Sequence, residues 1–390
     1  MQERKSPLQQ LDYSLLFFLF VLMCISLVAI YSAASTEQYN APGYFVQRQI
    51  IWFALGVIVM GGAMLFDYES FKNFSITFYI ISMILLLLVA VMGTEINGAQ
   101  RWLDLPGVPR FQPSEFVKIF LIFSLSHLLL TITRKPRPVS FLSDCIVVGK
   151  ILAVGLPPFL LILVQPDLGT ALVIGAIIGI MILMAGVTFR MIGLLVSIFV
   201  GAISFLVWLH NVNFELFNRI IQDHQLSRIY AWLSPGENIG AAGYQLYHAL
   251  QGVGAGQLYG SGFMGGIKTQ SGLIPELHTD FVFTVIAEEF GFMGATVLLV
   301  VYFLLLYRMV VIAFTCNNTY GTYLVAGVIG LLVFQIFQNI GMTIGVVPIT
   351  GLALPFISYG GSSLITNMLA VGIVLNVNIR TKHYMFGEEE

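Results

Sequence analysis

Ten stretches of mainly apolar residues run along the chain, at 13–33, 46–66, 74–92, 114–132, 145–164, 168–187, 190–210, 281–306, 321–345 and 359–379. A helix rises about 1.5 Å per residue, so roughly 20 residues cross a hydrocarbon core of ~30 Å. The pattern predicts an all-α, polytopic integral membrane protein with ten transmembrane helices. Only Gln165, Pro166 and Asp167 divide the fifth run from the sixth, and a tight turn near Arg190 divides the sixth from the seventh. Strands of an outer-membrane barrel would alternate apolar and polar residues over ~10 positions, and these runs do not. The first run follows Arg4 and Lys5 and precedes Ala33, Ala34 and Ser35, as a signal peptide would. Its apolar stretch is longer than a usual signal core, so it reads as a retained anchor.

Lys and Arg in the flanks set the orientation. One set of flanks holds Arg4, Lys5, Lys72, Arg134, Lys135, Arg137, Arg190, Arg308, Arg380 and Lys382; the other holds Arg48, Arg101, Arg110, Arg219, Arg228 and Lys268. Both termini are therefore expected in the cytoplasm, and the long 211–280 connection outside it, between the seventh and eighth spans. The whole chain, 1–390, reads as one transmembrane domain with that large loop inside it.

Composition narrows the class further. Apolar residues make up 57% and charged residues 10% of the chain, against about 25% charge in a soluble domain. The formal net charge of −2 and the lack of a long basic run argue against a nucleic-acid partner. Cys24, Cys145 and Cys316 form no disulfide framework and no zinc spacing, and His248 and His278 are not spaced as a helical pair.

Five segments are richer in polar, Gly and Pro residues than their surroundings: 97–102 (Asn-Gly-Ala-Gln-Arg-Trp), 112–115 (Gln-Pro-Ser-Glu), 165–170 (Gln-Pro-Asp-Leu-Gly-Thr), 275–281 (Pro-Glu-Leu-His-Thr-Asp-Phe) and 358–363 (Ser-Tyr-Gly-Gly-Ser-Ser). They fall in the third, fifth, seventh and ninth connections, all on one side of the membrane by parity. Spans four, six, eight and ten start there, so their unpaired N–H groups and positive dipole ends face that side.

Several residues carry two readings. Gly360, Gly361, Ser362 and Ser363 enter the last span, either as a phosphate-binding helix start or as a plain start with a Ser cap. Pro113 suits the first turn of the fourth span, where its missing N–H costs nothing. Glu115 and Lys118, three apart, share a helical face, either as functional charges or as a structural ion pair. Lys150 can snorkel from the cytoplasmic end of its span. Asp167 reads first as an N-cap. Asp280 opens a span after Thr279, as a cap or as an ionised carboxylate able to take a proton from a sugar hydroxyl. Glu288 and Glu289 fall two turns further along, where one of them can pair with a buried cation.

The 211–280 loop carries three basic and five acidic residues and is rich in Gly from 252 to 266. Its Gly spacing fits neither a dinucleotide fingerprint nor a phosphate loop. The expectation is a loop lying on or dipping into the outer leaflet, with Tyr244, Leu246, Tyr247 and Leu250 as interfacial anchors.

These motifs, together with Lys118, the Glu288-Glu289 pair and the 350–363 stretch (Thr-Gly-Leu-Ala-Leu-Pro-Phe-Ile-Ser-Tyr-Gly-Gly-Ser-Ser), resemble the SEDS family (shape, elongation, division and sporulation proteins) over nearly the whole chain. His278, Thr279, Asp280 and Phe281 and the short, acid-tipped C-terminus lean toward its rod-shape (RodA) branch. The resemblance implies a bacterial inner-membrane glycosyltransferase that polymerises glycan strands from lipid II, with undecaprenyl diphosphate leaving. It implies Asp280 as the essential acid, acting as general base or metal ligand. Arg101, Lys118, the 360–363 helix start or a divalent cation (Mg2+ or Mn2+) would stabilise the leaving diphosphate. Trp102, Gln112, Glu115, Asp167, His278, Thr279, Tyr359, Gly360, Gly361, Ser362 and Ser363 would bind substrate or support the site. The implied partners are lipid II, the growing glycan strand, a class B penicillin-binding transpeptidase, the elongation complex and membrane lipid. A lipid II flippase and a non-catalytic scaffold for the transpeptidase are the competing expectations. A flippase predicts polar residues continuing to the cytoplasmic side, whereas the inner halves of the spans read as apolar.

Overall fold

A computed structural model describes residues 10–36, 41–96, 99–104, 110–134, 136–138, 140–220, 223–236 and 241–384. The helices, in chain order, are α1 (Tyr13–Ala34), α2 (Pro42–Leu65), α3 (Tyr68–Asn73), α4 (Ser75–Met92), α5 (Pro113–Thr133), α6 (Phe141–Val164), α7 (Leu168–Met184), α8 (Phe189–Val212), α9 (Phe214–Ile220), α10 (Asp223–Leu233), α11 (Ala241–Ala255), α12 (Ile267–Gln270), α13 (Val282–Thr315), α14 (Thr319–Thr343) and α15 (Gly361–Tyr384). Among the described residues nine helices are long and apolar enough to cross a membrane, and α7, with 17 residues, is a shorter apolar helix at the place of the sixth expected span. Asn97 and Gly98 of the first polar motif, Arg4, Lys5 and Lys135 lie outside the described residues.

The chain is all-α apart from one short ribbon. Strands β1 (Thr94–Ile96) and β2 (Ala99–Trp102) pair antiparallel in the connection between α4 and α5. An isolated bridge from Leu103 to Phe111 continues the ribbon toward α5. This ribbon carries Arg101 to its place.

Local signals account for the helix ends. Asp12 caps α1 through the N–H of Leu15 (3.0 Å) and also takes Arg308 from α13 (2.5 Å). Pro113 starts α5 in its first turn, as expected. Asp167 caps α7, accepting from the Thr170 N–H at 3.1 Å and the Thr170 hydroxyl at 2.9 Å.

The core is one continuous cluster, including Leu22, Leu121, Ile174, Leu331, Met368 and Val374. A second cluster lies where α1 and α14 finish: Ala33, Leu246, Ala249, Ile274, Phe281, Val285, Met342 and Ile349 pack together. It marks the site end of the bundle. The loop is therefore tied to the bundle by its apolar residues. Leu246 is fully buried and Leu250 packs on the same cluster, so these two are not interfacial anchors; Tyr247 keeps an exposed face. Their apolar surface is taken up by protein.

The eighth expected span, 281–306, is corrected in two ways. Helix α13 continues to Thr315, and it is broken at Gly291, whose φ of 65° and ψ of −164° lie outside the helical region. A Cβ there would also strike the backbone of Leu258 and Gly260, so the position admits only glycine.

Candidate active site

Asp280 sits in a turn, not at a cap. The N-cap position of α13 is Phe281, without a side-chain cap bond. The turn closes on Glu276, which adopts a φ of 54°. Its carbonyl accepts the N–H groups of Thr279 (3.2 Å), Asp280 (3.0 Å) and Phe281 (3.3 Å), and its carboxylate accepts the Thr279 hydroxyl (3.0 Å). Three residues from two distant segments hold this turn against the bundle. Asn339 of α14 donates to the Asp280 carbonyl (2.8 Å) and the Leu352 carbonyl (2.7 Å). The Ser358 hydroxyl donates to the Thr279 carbonyl (2.5 Å), and the Tyr359 N–H to the His278 carbonyl (2.9 Å).

Asp280 is half-buried among these segments. Burial pushes its pKa up to about 6, and the neighbouring Glu276 adds to the rise. Arg101, Arg228 and a hydrogen bond with Thr279 pull the other way. Arg228, on α10, lies in the field of Arg101, Asp280 and Asp167 together, and burial with the Arg101 charge holds its pKa below the usual value. Arg101 pairs with Asp167 at 3.7 Å, and its Nε is buried with no hydrogen-bond partner among the described residues. A buried donor without a partner is uncommon, and it is chemically suited to an incoming anion.

Gln112 links three helix starts. Its side chain reaches Asp167 of α7 (3.4 Å) and Ser114 (3.2 Å), and its N–H donates to the Ser362 hydroxyl of α15 (3.2 Å). Ser362 is thus engaged across the bundle, and Ser363 accepts from Asn367 (3.5 Å) within its own helix. Gly361 packs against Trp52, while Gly360 has open space beside it. His278, buried and held neutral by desolvation, meets Phe45 (4.8 Å between ring centroids) and Tyr359 (5.5 Å).

Three expected site residues, Lys118, Glu115 and Trp102, stand apart from this group. Lys118 is wholly buried and pairs with Glu115 at 2.8 Å within α5; it is not among the groups acting on Asp280. Trp102 follows Arg101 on β2, and consecutive side chains on a strand point to opposite faces, so Arg101 alone turns toward Asp167. The buried-cation pairing expected of Glu288 or Glu289 is also corrected. Glu288 accepts the backbone N–H groups of Lys268 and Thr269 (2.8 Å each), and Glu289 accepts the hydroxyl of Ser32 and the amide of Gln270. Backbone donors meet both oxygens of Glu288, and hydroxyl and amide donors meet Oε1 of Glu289, while Glu289 Oε2 is buried with no hydrogen-bond partner among the described residues.

Arg228 and Glu276 are the site residues that sequence reasoning missed. Glu276 lies inside the 275–281 polar motif, where its own sequence position gives it no distinct role. Arg228 carried no signal beyond its charge. No three His, Cys, Asp or Glu side chains gather as a metal cluster among the described residues.

These features define a multi-pass helical membrane protein with one polar, carboxylate-centred site gathered where its helix starts meet. The chain belongs to the FtsW/RodA/SpoVE family, whose model, described as "Cell cycle protein", matches residues 13–383. It is 33% identical over 393 residues to the probable peptidoglycan glycosyltransferase FtsW of Trichlorobacter lovleyi, covering 97% of this chain and 96% of that one. It is 34% identical over 373 residues to the peptidoglycan glycosyltransferase MrdB of Escherichia coli K12, covering 95% and 94%. A solved chain described under "Structural coordination of polymerization and crosslinking by a peptidoglycan synthase complex" superposes with a TM-score of 0.76 at 29% identity, covering 95% of this chain and 98% of that one. Matches of similar strength include a stage V sporulation protein E of Bacillus subtilis, 33% identical, and the rod shape determining protein RodA of Thermus thermophilus, so the match does not single out one branch of the family.

Proposed function

We propose that Asp280 is the general base of a lipid II polymerase whose site end faces the outer leaflet of the bacterial cytoplasmic membrane. The chain is a peptidoglycan glycosyltransferase, the class carried by relatives that match almost its full length. A sugar hydroxyl is a weak nucleophile, so a positioned carboxylate must take its proton as the new bond forms. The observation that carries the reading is the setting of Asp280: a half-buried residue, fixed in its turn by Asn339 and Ser358, with its carboxyl in the field of Arg101 and Arg228 and its pKa raised to about 6. A base poised near the working pH is ionised yet still able to accept a proton.

In this reading the 4-hydroxyl of one lipid-linked disaccharide attacks the anomeric carbon of the growing strand. Its proton passes to Asp280, and undecaprenyl diphosphate leaves. Arg101, with its unpartnered Nε, and Arg228 stabilise the negative charge that develops on the diphosphate. Glu115 and Lys118 support the fold of α5, and Asp167 orients Arg101. The termini lie in the cytoplasm, and the protein serves cell elongation with a class B penicillin-binding transpeptidase as partner.

Purified chain, assembled with that transpeptidase and supplied with lipid II, tests the proposal. Wild type makes glycan strands, and Asp280→Asn inserts, binds its partner and makes none. Lipid II crossing the bilayer without glycan product favours a flippase, and full activity of Asp280→Asn favours a scaffold. Reporter fusions that put 211–280 in the cytosol overturn the orientation.

A further inference from the structure

The break in α13 separates two pieces with different duties. Residues 292–315 alone are long enough to cross a membrane. The first piece, 282–290, is about 12 Å of helix that carries Asp280 just ahead of its start. It is buried all round: none of residues 281–289 is more than 4% exposed. A helix so enclosed moves as a unit, and the carboxyl ahead of it moves with it.

Breaking a helix inside protein leaves carbonyls at one piece's end and N–H groups at the next piece's start without partners. Here one passing segment serves both. The N–H of Ser261 donates to the Glu288 carbonyl and that of Gly262 to the Glu289 carbonyl (3.0 Å each). In return the N–H groups of Phe292 and Met293 donate to the carbonyls of Gln257 (2.9 Å) and Leu258 (3.1 Å). Gly260 lies so close to the Glu289 carbonyl that a Cβ would strike it. This gives the Gly-rich stretch of the loop a physical reason.

Side chains lock the same contact. The Glu288 carboxylate receives both N–H groups at the start of α12, and Gln270 at the end of α12 donates to Glu289 (3.2 Å) and to the Ser32 hydroxyl of α1 (2.9 Å). The 257–270 stretch is a clasp around the helix break. It grips the 282–290 piece at the end opposite Asp280.

We propose that this clasp positions Asp280 for proton abstraction, with Glu288 as the positioning residue that locks it. Glu288 lies eight residues beyond Asp280, near the far end of the 282–290 piece. It acts through the buried helix, whose displacement would carry the carboxyl away from the groups that face it: Glu276 on the turn, Arg101 on β2 and Arg228 on α10. The inference rests on the reading of Asp280 as base.

Glu288→Gln keeps the shape but presents an NH2 where one backbone donor needs an acceptor. Gln270→Ala weakens the clasp from a half-buried position without creating a buried charge, which guards against loss of folding. The measurement is the pH dependence of glycan polymerisation by the full chain with its transpeptidase partner. Both variants are expected to lower kcat, Glu288→Gln by about tenfold or more, with KM for lipid II within about twofold. Their acid limb should shift to lower pH, as the displaced carboxyl becomes better hydrated. An acid limb unmoved in both variants, with kcat falling only as folded protein is lost, overturns the positioning role. A wild type without an acid limb, or an active Asp280→Asn, defeats the base reading and takes this inference with it.

Discussion

The Asp280 carboxylate lies against Gly351: a Cβ built on that glycine would stand 3.2 Å from Oδ2, and Gly351 holds a φ of 70°. Both facts demand glycine at this position. Alanine there is strained by about 1–2 kcal/mol, and its methyl group presses on the proposed base. Gly351→Ala should therefore insert normally, unfold at a somewhat lower temperature, and lose more than about tenfold in polymerisation rate. A rate equal to wild type would mean that the carboxyl does not need its present place.

Asp280→Asn should lower polymerisation by about 10²–10⁴-fold without lowering stability. The sign follows from the raised pKa. The folded state holds a proton on Asp280 at pH values where the unfolded state, near its ordinary value, has lost it. Lowering the pH through about 6 toward the unfolded value therefore stabilises the wild type, and raising it through about 6 removes that contribution. The asparagine variant lacks this dependence and should be the more stable protein at pH 7. Thermal unfolding across pH 4–8 measures it.

The charges around Asp280 should move the acid limb of the rate profile in opposite directions. Arg101→Ala and Arg228→Ala each remove a positive charge that favours the carboxylate, so the limb should move up in pH. Glu276→Gln removes a negative charge, so the limb should move down. The arginine variants should also raise KM for lipid II if they hold the diphosphate. Three profiles that coincide with wild type would separate Asp280 from these neighbours.

Glu115 and Lys118 should report on folding. Lys118 is wholly buried and its partner nearly so. Removing one member of a buried pair leaves an uncompensated charge and typically costs about 3–5 kcal/mol. Glu115→Ala and Lys118→Ala should lose folded protein and activity together, and a combined replacement of both by apolar residues should recover folded protein. Activity lost at full folded yield would return these two to the substrate site.

Much of this molecule was legible in sequence because the controlling signals are local. Apolar runs of span length report the membrane helices whatever surrounds them. Asp167 with Thr170 and Pro113 after Gln112 mark helix starts within a few residues. Hydrogen bonds from Gln112 to Asp167 and Ser362 join three of the polar motifs. Chain-distant contacts were not legible. Arg228 enters the field of Asp280 because α10 packs back onto the bundle.

By itself, then, the sequence determined a bundle of membrane-length helices and the set of polar segments at one end of it, since burial of apolar runs and helix starts depends on neighbours in the chain. Tertiary structure alone decided how the acids are satisfied. Glu288 and Glu289 take backbone and amide donors, not a cation, because the 257–270 stretch passes beside the break at Gly291. A buried carboxylate is satisfied by whichever donors the packed chain brings within reach, and sequence spacing does not specify which those are.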